Sequence, residues 1–285
     1  MCGGYPKACP ERRVMEYGIF NNVSHADYHN LPIDVVSNSY LGELADCPAK
    51  ARVLKVETPV MVIGRAFHCL LLDGEKVFNN EFAVSPSVDK RTKEGKVKWA
   101  EFLLMNPGKS VIDTEDRDNL YNMANAVIRH PFAVRLLAEG RSEVSLFWKD
   151  KNTGMDCKAR PDRIPAGDKG TIVDVKTVQK ASRVGFQSAV VRYGYARQAG
   201  MYTIGYNTVT NGKVDQFAFI TVEKTDPWRV EVYTLASAFI DWGKSEYHRL
   251  MQVEKECREA NYWPHYQNAG ADTIDLPKYL EVYLD

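Results

Sequence analysis

After Gly140 the hydrophobic period of this chain changes from about 3.6 residues to 2, which predicts helices before that point and a run of strands directly after it. Before the change, Tyr40, Leu41, Leu44 and Ala45 recur at helical spacing behind the capping candidates Ser37 and Asn38, and Pro48 ends the run. The stretch GRAFHCLLL (64–72) predicts a second helix closed at Asp73-Gly74. Leu120, Met123, Ala124, Val127 and Ile128 give an apolar side to a third over 113–138, which Pro131 can break. After the change, 143–148, 155–164 and 171–177 read as three strands joined by turns at 149–154 and 165–170. A helix over 182–206, strands over 215–222 and 229–234, and a helix over 236–260 follow. This order predicts an α/β fold around a mixed β-sheet flanked by helices, with an N-terminal helical part.

The 45% hydrophobic and 26% charged composition of the 285 residues is that of a soluble globular protein. No run approaches the roughly 18 to 20 apolar residues of a membrane span, and residues 1–13 lack the apolar core of a signal peptide. The expectation is a cytoplasmic protein with no membrane partner. Six scattered cysteines without a C-x-x-C pair suggest neither a zinc knuckle nor a disulfide scaffold. Zero net charge argues against a uniformly basic nucleic-acid coat, but it allows basic residues to line one channel.

The pattern that points to chemistry is Arg160-Pro161-Asp162 followed by Asp174-Val175-Lys176. A turn centred on Asp168 sets Asp162, six residues before it, opposite Asp174, six after. Directly opposed Cβ atoms lie roughly 4.5 to 5.5 Å apart, so two carboxylates there destabilise a sheet unless a cation compensates. Side-chain alternation puts Lys176 on the face of Asp174. Hard oxygen ligands suit Mg²⁺ or Mn²⁺, and a neighbouring lysine can orient a water or stabilise developing charge. A turn near 152 or 153 brings Glu143 opposite 161–163, as a further metal ligand or as a solvent-facing strand residue.

Arg192, Tyr195, Gln198, Tyr202 and Tyr206 recur three or four apart as one helical stripe. They either pack, or use Gln198 and Tyr202 to hold the lysine or a phosphate. His68 stands in an apolar helix either as a satisfied core residue or, with Arg65 one turn earlier, as part of a polar site. The run DKRTKEGKVK (89–98) is either a solvated face or a DNA-contacting segment.

In this order, G-R-A-F-H at 64–68, a strand glutamate, R-P-D at 160–162, D-V-K at 174–176 and Q-x-x-x-Y at 198–202 resemble the RecB-type branch of the PD-(D/E)XK nucleases. Within that branch they are most similar to the RecE (exonuclease VIII) C-terminal nuclease domain family. Tyr28-His29, 37–48, 82–95, Phe147-Trp148, Trp263-Pro264 and Leu276-Pro277 extend the likeness. The resemblance implies a restriction-endonuclease-like core and a Mg²⁺-dependent exonuclease that degrades linear duplex DNA 5′ to 3′, leaving 3′ tails for phage-type recombination. It implies His68, Asp162 and Asp174 at the metal, Glu143 as a supporting acid, Lys176 as the water-positioning lysine, and Gln198 with Tyr202 as a supporting helix motif.

It further implies a ring-shaped homo-oligomer, a trimer or tetramer, beside a single-strand annealing protein of RecT or Beta type. An endonuclease or flap nuclease, and a non-catalytic DNA-end-binding protein, are the alternatives. AddB-type relatives of this motif order carry a cysteine cluster, and the scattered cysteines here do not fit an iron–sulfur centre. Arg65, Lys93, Lys96 and Arg192 are candidates for DNA backbone contacts. The organisation expected is an N-terminal arm (1–36) and one nuclease domain (37–285). That domain comprises a helical part (37–139), a catalytic core (140–235), and a C-terminal helix and tail (236–285).

Overall fold

The computed structural model describes residues 16–21, 23–138, 140–164, 166, 170–267, 271 and 273–277. The N-terminal part holds β1 (Gly18–Phe20), α1 (His25–His29), α2 (Asn38–Asp46), α3 (Pro48–Ala51) and α4 (Pro59–His68). A π-helical turn (Cys69–Asp73), α5 (Glu75–Glu81), β2 (Phe82–Val84), α6 (Lys93–Met105), β3 (Ser110–Ile112), α7 (Thr114–Arg129) and α8 (Pro131–Ala138) complete it. The second part runs β4 (Arg141–Ser142), β5 (Ser145–Lys149), β6 (Asp156–Ala159), β7 (Arg163–Ile164), β8 (Thr171–Val178), α9 (Arg183–Arg192), α10 (Tyr195–Thr210), β9 (Gln216–Glu223), β10 (Val230–Thr234) and α11 (Ser237–Ala260).

A five-stranded mixed sheet ordered β10-β9-β8-β7-β4 forms the centre, with β8 and β9 parallel and the other pairs antiparallel. Alternation along β8 decides which core each residue enters. Val173 and Val175 join Phe67, Leu120, Val127, Ile220 and Val222 beneath α4 and α7. Ile172 joins Trp148, Phe217, Phe219, Tyr202 and Tyr247 beneath α10 and α11. Asp174 and Lys176 share the parity of Ile172, so they belong to the α10 side.

α10 is drawn close by its glycines: a Cβ at Gly200 would collide with the backbone of Gly243 on α11, and one at Gly205 with the Trp148 ring. Among the described residues no helix is long and apolar enough to cross a membrane.

Several boundaries differ from the sequence reading. The GRAFHCLLL helix starts at Pro59, because Thr58 caps it and proline suits a first helical position, and it ends in a π turn. The helix expected over 182–206 is two helices, since Gly194 takes a left-handed φ of +67°. Arg192 therefore closes α9 and leaves the stripe, while Tyr195, Gln198, Tyr202 and Tyr206 remain on α10. The segment 1–36 is not irregular throughout, because β1 adds an edge strand to β5. Its residues 1–15 and 22 lie outside the described residues, as do Pro165 and Gly167 to Lys169 of the second turn.

The strands expected over 143–148 and 155–164 are each broken. β5 and β6 pair in a three-stranded sheet with β1, whereas β4 and β7 pair in the central sheet. The hairpin thus changes sheets at Glu143-Val144 and Arg160-Pro161-Asp162. Pro161 has no N–H for the ladder, and Glu143 adopts a φ of +49°, in the left-handed region.

Candidate metal centre and active site

The registers expected from the sequence are present beside Asp162, although Asp162 itself lies just before β7 and makes no ladder pair with Asp174 among the described residues. Arg163 faces Val173, five residues either side of position 168, and Ser142 faces Arg163 about a centre between 152 and 153. The Glu143 N–H donates to the Asp162 carbonyl, which fixes the two residues across the joint between the sheets. α4 delivers His68 from above, at the point where the helix passes into the π turn. His68, Glu143 and Asp162 can each offer a ligand atom with all three atoms within 4.8 Å of one another.

Both oxygens of Asp162 and of Asp174 are engaged. Asp162 meets His68 Nδ1 through Oδ1 at 3.0 Å and accepts the Val175 N–H through Oδ2. His68 Nδ1 also lies 3.9 Å from Glu143 Oε1. Asp174 is not in the triad. Its Oδ1 accepts from Gln198 Nε2 at 2.7 Å, and its Oδ2 pairs with the Lys176 ammonium. Lys176 in turn lies 5.0 Å from the centre of the Tyr195 ring. Tyr202, one turn beyond Gln198, is buried with its phenol beside that amide.

The electrostatics are those of too many carboxylates in too little water. Burial works against a charged imidazole, but Asp162, Glu143 and Asp174 outweigh it and raise His68 to about 9. Burial and then the charge of Asp162 push Glu143 up to about 8, with His68 opposing. Burial likewise pushes Asp174 up to about 6, against the pull of Lys176 and with Asp162 adding to the shift. Asp162 is held low: burial would raise it, but the charge and hydrogen bond of His68, Lys176 and the Val175 N–H more than offset that. Burial would lower Lys176, and Asp174 with Asp162 raise it instead.

One imidazole nitrogen and two carboxylates converging where protons are abnormally retained form a donor set that fits a divalent cation. His68 and Lys176 supply the compensating positive charge in this arrangement.

The residues expected at DNA divide. The Arg65 guanidinium is committed to Glu57, Ser110 and the Phe82 ring, bracing α4 against β2 and β3. Lys93 and Lys96 are exposed on the first turns of α6, and Arg192 is exposed at the end of α9. Sequence reasoning passed over Lys158, which is buried, donates to the Tyr28 carbonyl and lies over the Tyr28 ring together with Arg160. The spacing of two between Lys158, Arg160 and Asp162 on a strand was the available signal.

A family model described as a PDDEXK-like domain of unknown function (DUF3799) matches residues 37–276, and the chain belongs to that family. No curated protein matches the sequence. A solved structure of a candidate exonuclease from Eubacterium rectale is similar over 92% of this chain and 98% of its own, with 11% identity and a TM-score of 0.60. An alkaline exonuclease from Laribacter hongkongensis overlaps 83% of this chain and 97% of its own at 13% identity, with a TM-score of 0.33. The first of these, with the family match, identifies the mixed sheet and its helices as a PD-(D/E)XK-type core.

Proposed function

We propose that this chain is a metal-dependent exodeoxyribonuclease that degrades linear double-stranded DNA 5′ to 3′ and leaves 3′ single-stranded tails. The observation that carries the reading is the His68, Glu143 and Asp162 triad set against the Asp174 and Lys176 pair. His68, Glu143 and Asp162 would hold Mg²⁺, or Mn²⁺ in its place, with Asp174 completing the set once Lys176 turns to substrate. When bound, the ion would polarise a phosphodiester and lower the pKa of a water.

The chain's own groups supply the rest. Gln198 fixes Asp174 from behind, as outer-shell partners of ligands commonly do. Lys176, held between Asp174 and the Tyr195 ring, can donate to a phosphate oxygen or hold the attacking water in line with the leaving 3′ oxygen. Tyr202 backs Gln198 in the buried wall of the site.

Direction, the 3′ tail, a ring-shaped homo-oligomer and an annealing partner of RecT or Beta type rest on the resemblance of the motif order to the RecE nuclease family, with action in a bacterial cytoplasm. A time course on linear duplex labelled separately at each 5′ and 3′ end, with closed circular DNA alongside, tests the reading. Early release of the 5′ label with the circle untouched is expected. Cutting of the circle would replace it with an endonuclease on the same core.

A further inference from the structure

Residues 175–214 contain no aspartate or glutamate, although 37 acidic residues among 285 would put about five in such a stretch. The same stretch carries Lys176, Lys180, Arg183, Arg192, Arg197 and Lys213. In a chain of zero net charge this is a local surplus of positive charge, and it begins at the lysine of the site. Arg197 turns inward to Asn38, whereas Lys180, Arg183 and Arg192 are exposed and form no ion pair among the described residues.

Between Arg192 and the site stands a pair of aromatic rings. Tyr193, at the junction of α9 and α10, is 59% exposed, so much of its ring is open to solvent. Its ring centre lies 5.8 Å from that of Tyr195, which in turn lies 5.0 Å from Lys176 Nζ. Arg192 lies 5.8 Å from the Tyr193 ring. A cation and an open aromatic face side by side match the alternation of phosphate and base in a single nucleic-acid strand. The left-handed Gly194 fixes this presentation by ending α9 there, so Tyr193 faces outward while Tyr195 faces Lys176.

We propose that Tyr193 and Arg192 grip a single DNA strand at the rim of the site. Tyr193 stacks on a nucleobase within a few nucleotides of the scissile phosphate, and Arg192 contacts the adjoining phosphate. Lys180 and Arg183 extend the charged track away from the site. This rests on the nuclease reading, and it adds a stacking position that registers the strand relative to Lys176.

The test measures binding without cleavage, using the full chain in EDTA and a fluorescein-labelled 12-mer of oligothymidine, beside a 12-mer of abasic units. Tyr193→Ala should weaken binding to oligothymidine about tenfold and leave the abasic oligomer nearly unaffected, while Tyr193→Trp should bind like the unmodified chain. Arg192→Ala should weaken binding to both, with the slope of log affinity against log salt reduced by about 0.7.

Tyr193→Ala binding within twofold of the unmodified chain, or losing equally on both oligomers, overturns the proposal. So does a Tyr193→Ala protein whose mass in solution changes while its DNA affinity stays, because the ring would then serve contact between copies. A chain that cuts duplex DNA yet ignores Tyr193→Ala retains the nuclease reading and loses only this inference. One that neither cuts nor binds DNA loses both.

Discussion

Asp150 and Glu254 are buried as deeply as Asp162 and Asp174, yet the two pairs of carboxylates live under opposite conditions. Asp150 closes its own turn by accepting from the Asn152 N–H, the Thr153 N–H and the Thr153 hydroxyl, and its other oxygen takes the Tyr247 hydroxyl. Glu254 takes Arg258 on one oxygen and the Trp263 indole on the other, tying α11 to the C-terminal segment. Each carboxylate oxygen of this pair therefore has a donor. Asp162 and Asp174 instead share their space with Glu143 and divide His68 and Lys176 among three acids. Depth of burial alone therefore says little about function; crowding of like charge at that depth does.

Breaking the two kinds of site should give opposite results. Lys176→Ala or Asp174→Asn is expected to lower nucleotide release in Mg²⁺ by at least about a thousandfold, in a protein whose circular dichroism is unchanged. Full activity in either would remove the site's claim to catalysis. Glu254→Ala should do the reverse, lowering unfolding free energy in urea by about 1 to 3 kcal/mol because the Trp263 indole and the half-buried Arg258 lose their partner, with activity per folded molecule retained. An equally stable Glu254→Ala protein would erase the distinction.

Gln198→Ala should cost about ten- to a hundredfold in metal affinity or turnover through its hold on Asp174, and Gln198→Glu should not restore it. Titration calorimetry separates the two quantities.

The contrast also sets a pH dependence. In the metal-free protein Glu143 at about 8 and His68 at about 9 both lie above their unfolded values. Their protonated forms thus contribute stability that is complete below about pH 4.5 and 6.5 respectively, and is lost as pH rises through 8 to 9. A cation needs both groups deprotonated. Mg²⁺ affinity should accordingly rise between pH 7 and 9, by up to about tenfold per unit for each proton released. Flat affinity across that window would mean that the triad is not the binding site.

The smallest effect expected is on the metal-free fold. Glu143→Gln should shift the melting temperature upward at pH 9 and hardly at all at pH 5, because it deletes a charge that the fold resists. A shift of equal size at both values would point to shape rather than charge.

Much of this site could be read in the sequence because strand periodicity and turn position are local. Parity placed Asp174 and Lys176 on one face, and two turn centres brought Glu143, Asp162 and Asp174 to neighbouring strands. What the sequence hid was where a residue departs from its usual habit. Glu143 at positive φ and the π turn after His68 are tertiary decisions that no window of residues announces, whereas Gly194 was itself a local signal of its break. Pro161 did announce a break in its strand, and that signal was available. The sequence offered Glu143 as a further ligand beside His68, Asp162 and Asp174; in the structure Glu143 closes with His68 and Asp162, while Gln198 and Lys176 hold Asp174.

The joint at which one hairpin leaves one sheet for another also decides how much change the protein can absorb. Along β5, β6 and β8 the ladder is made by backbone atoms, so side chains can be exchanged while register survives. At Arg160 and Asp162 the regular ladder stops and side chains do the holding, through Ser145, His68 and the Val175 N–H. Variation among descendants should fall unevenly, broad along the strands and narrow at these few positions. A fold shared with a protein of 11% identity is what such a division of labour would leave behind.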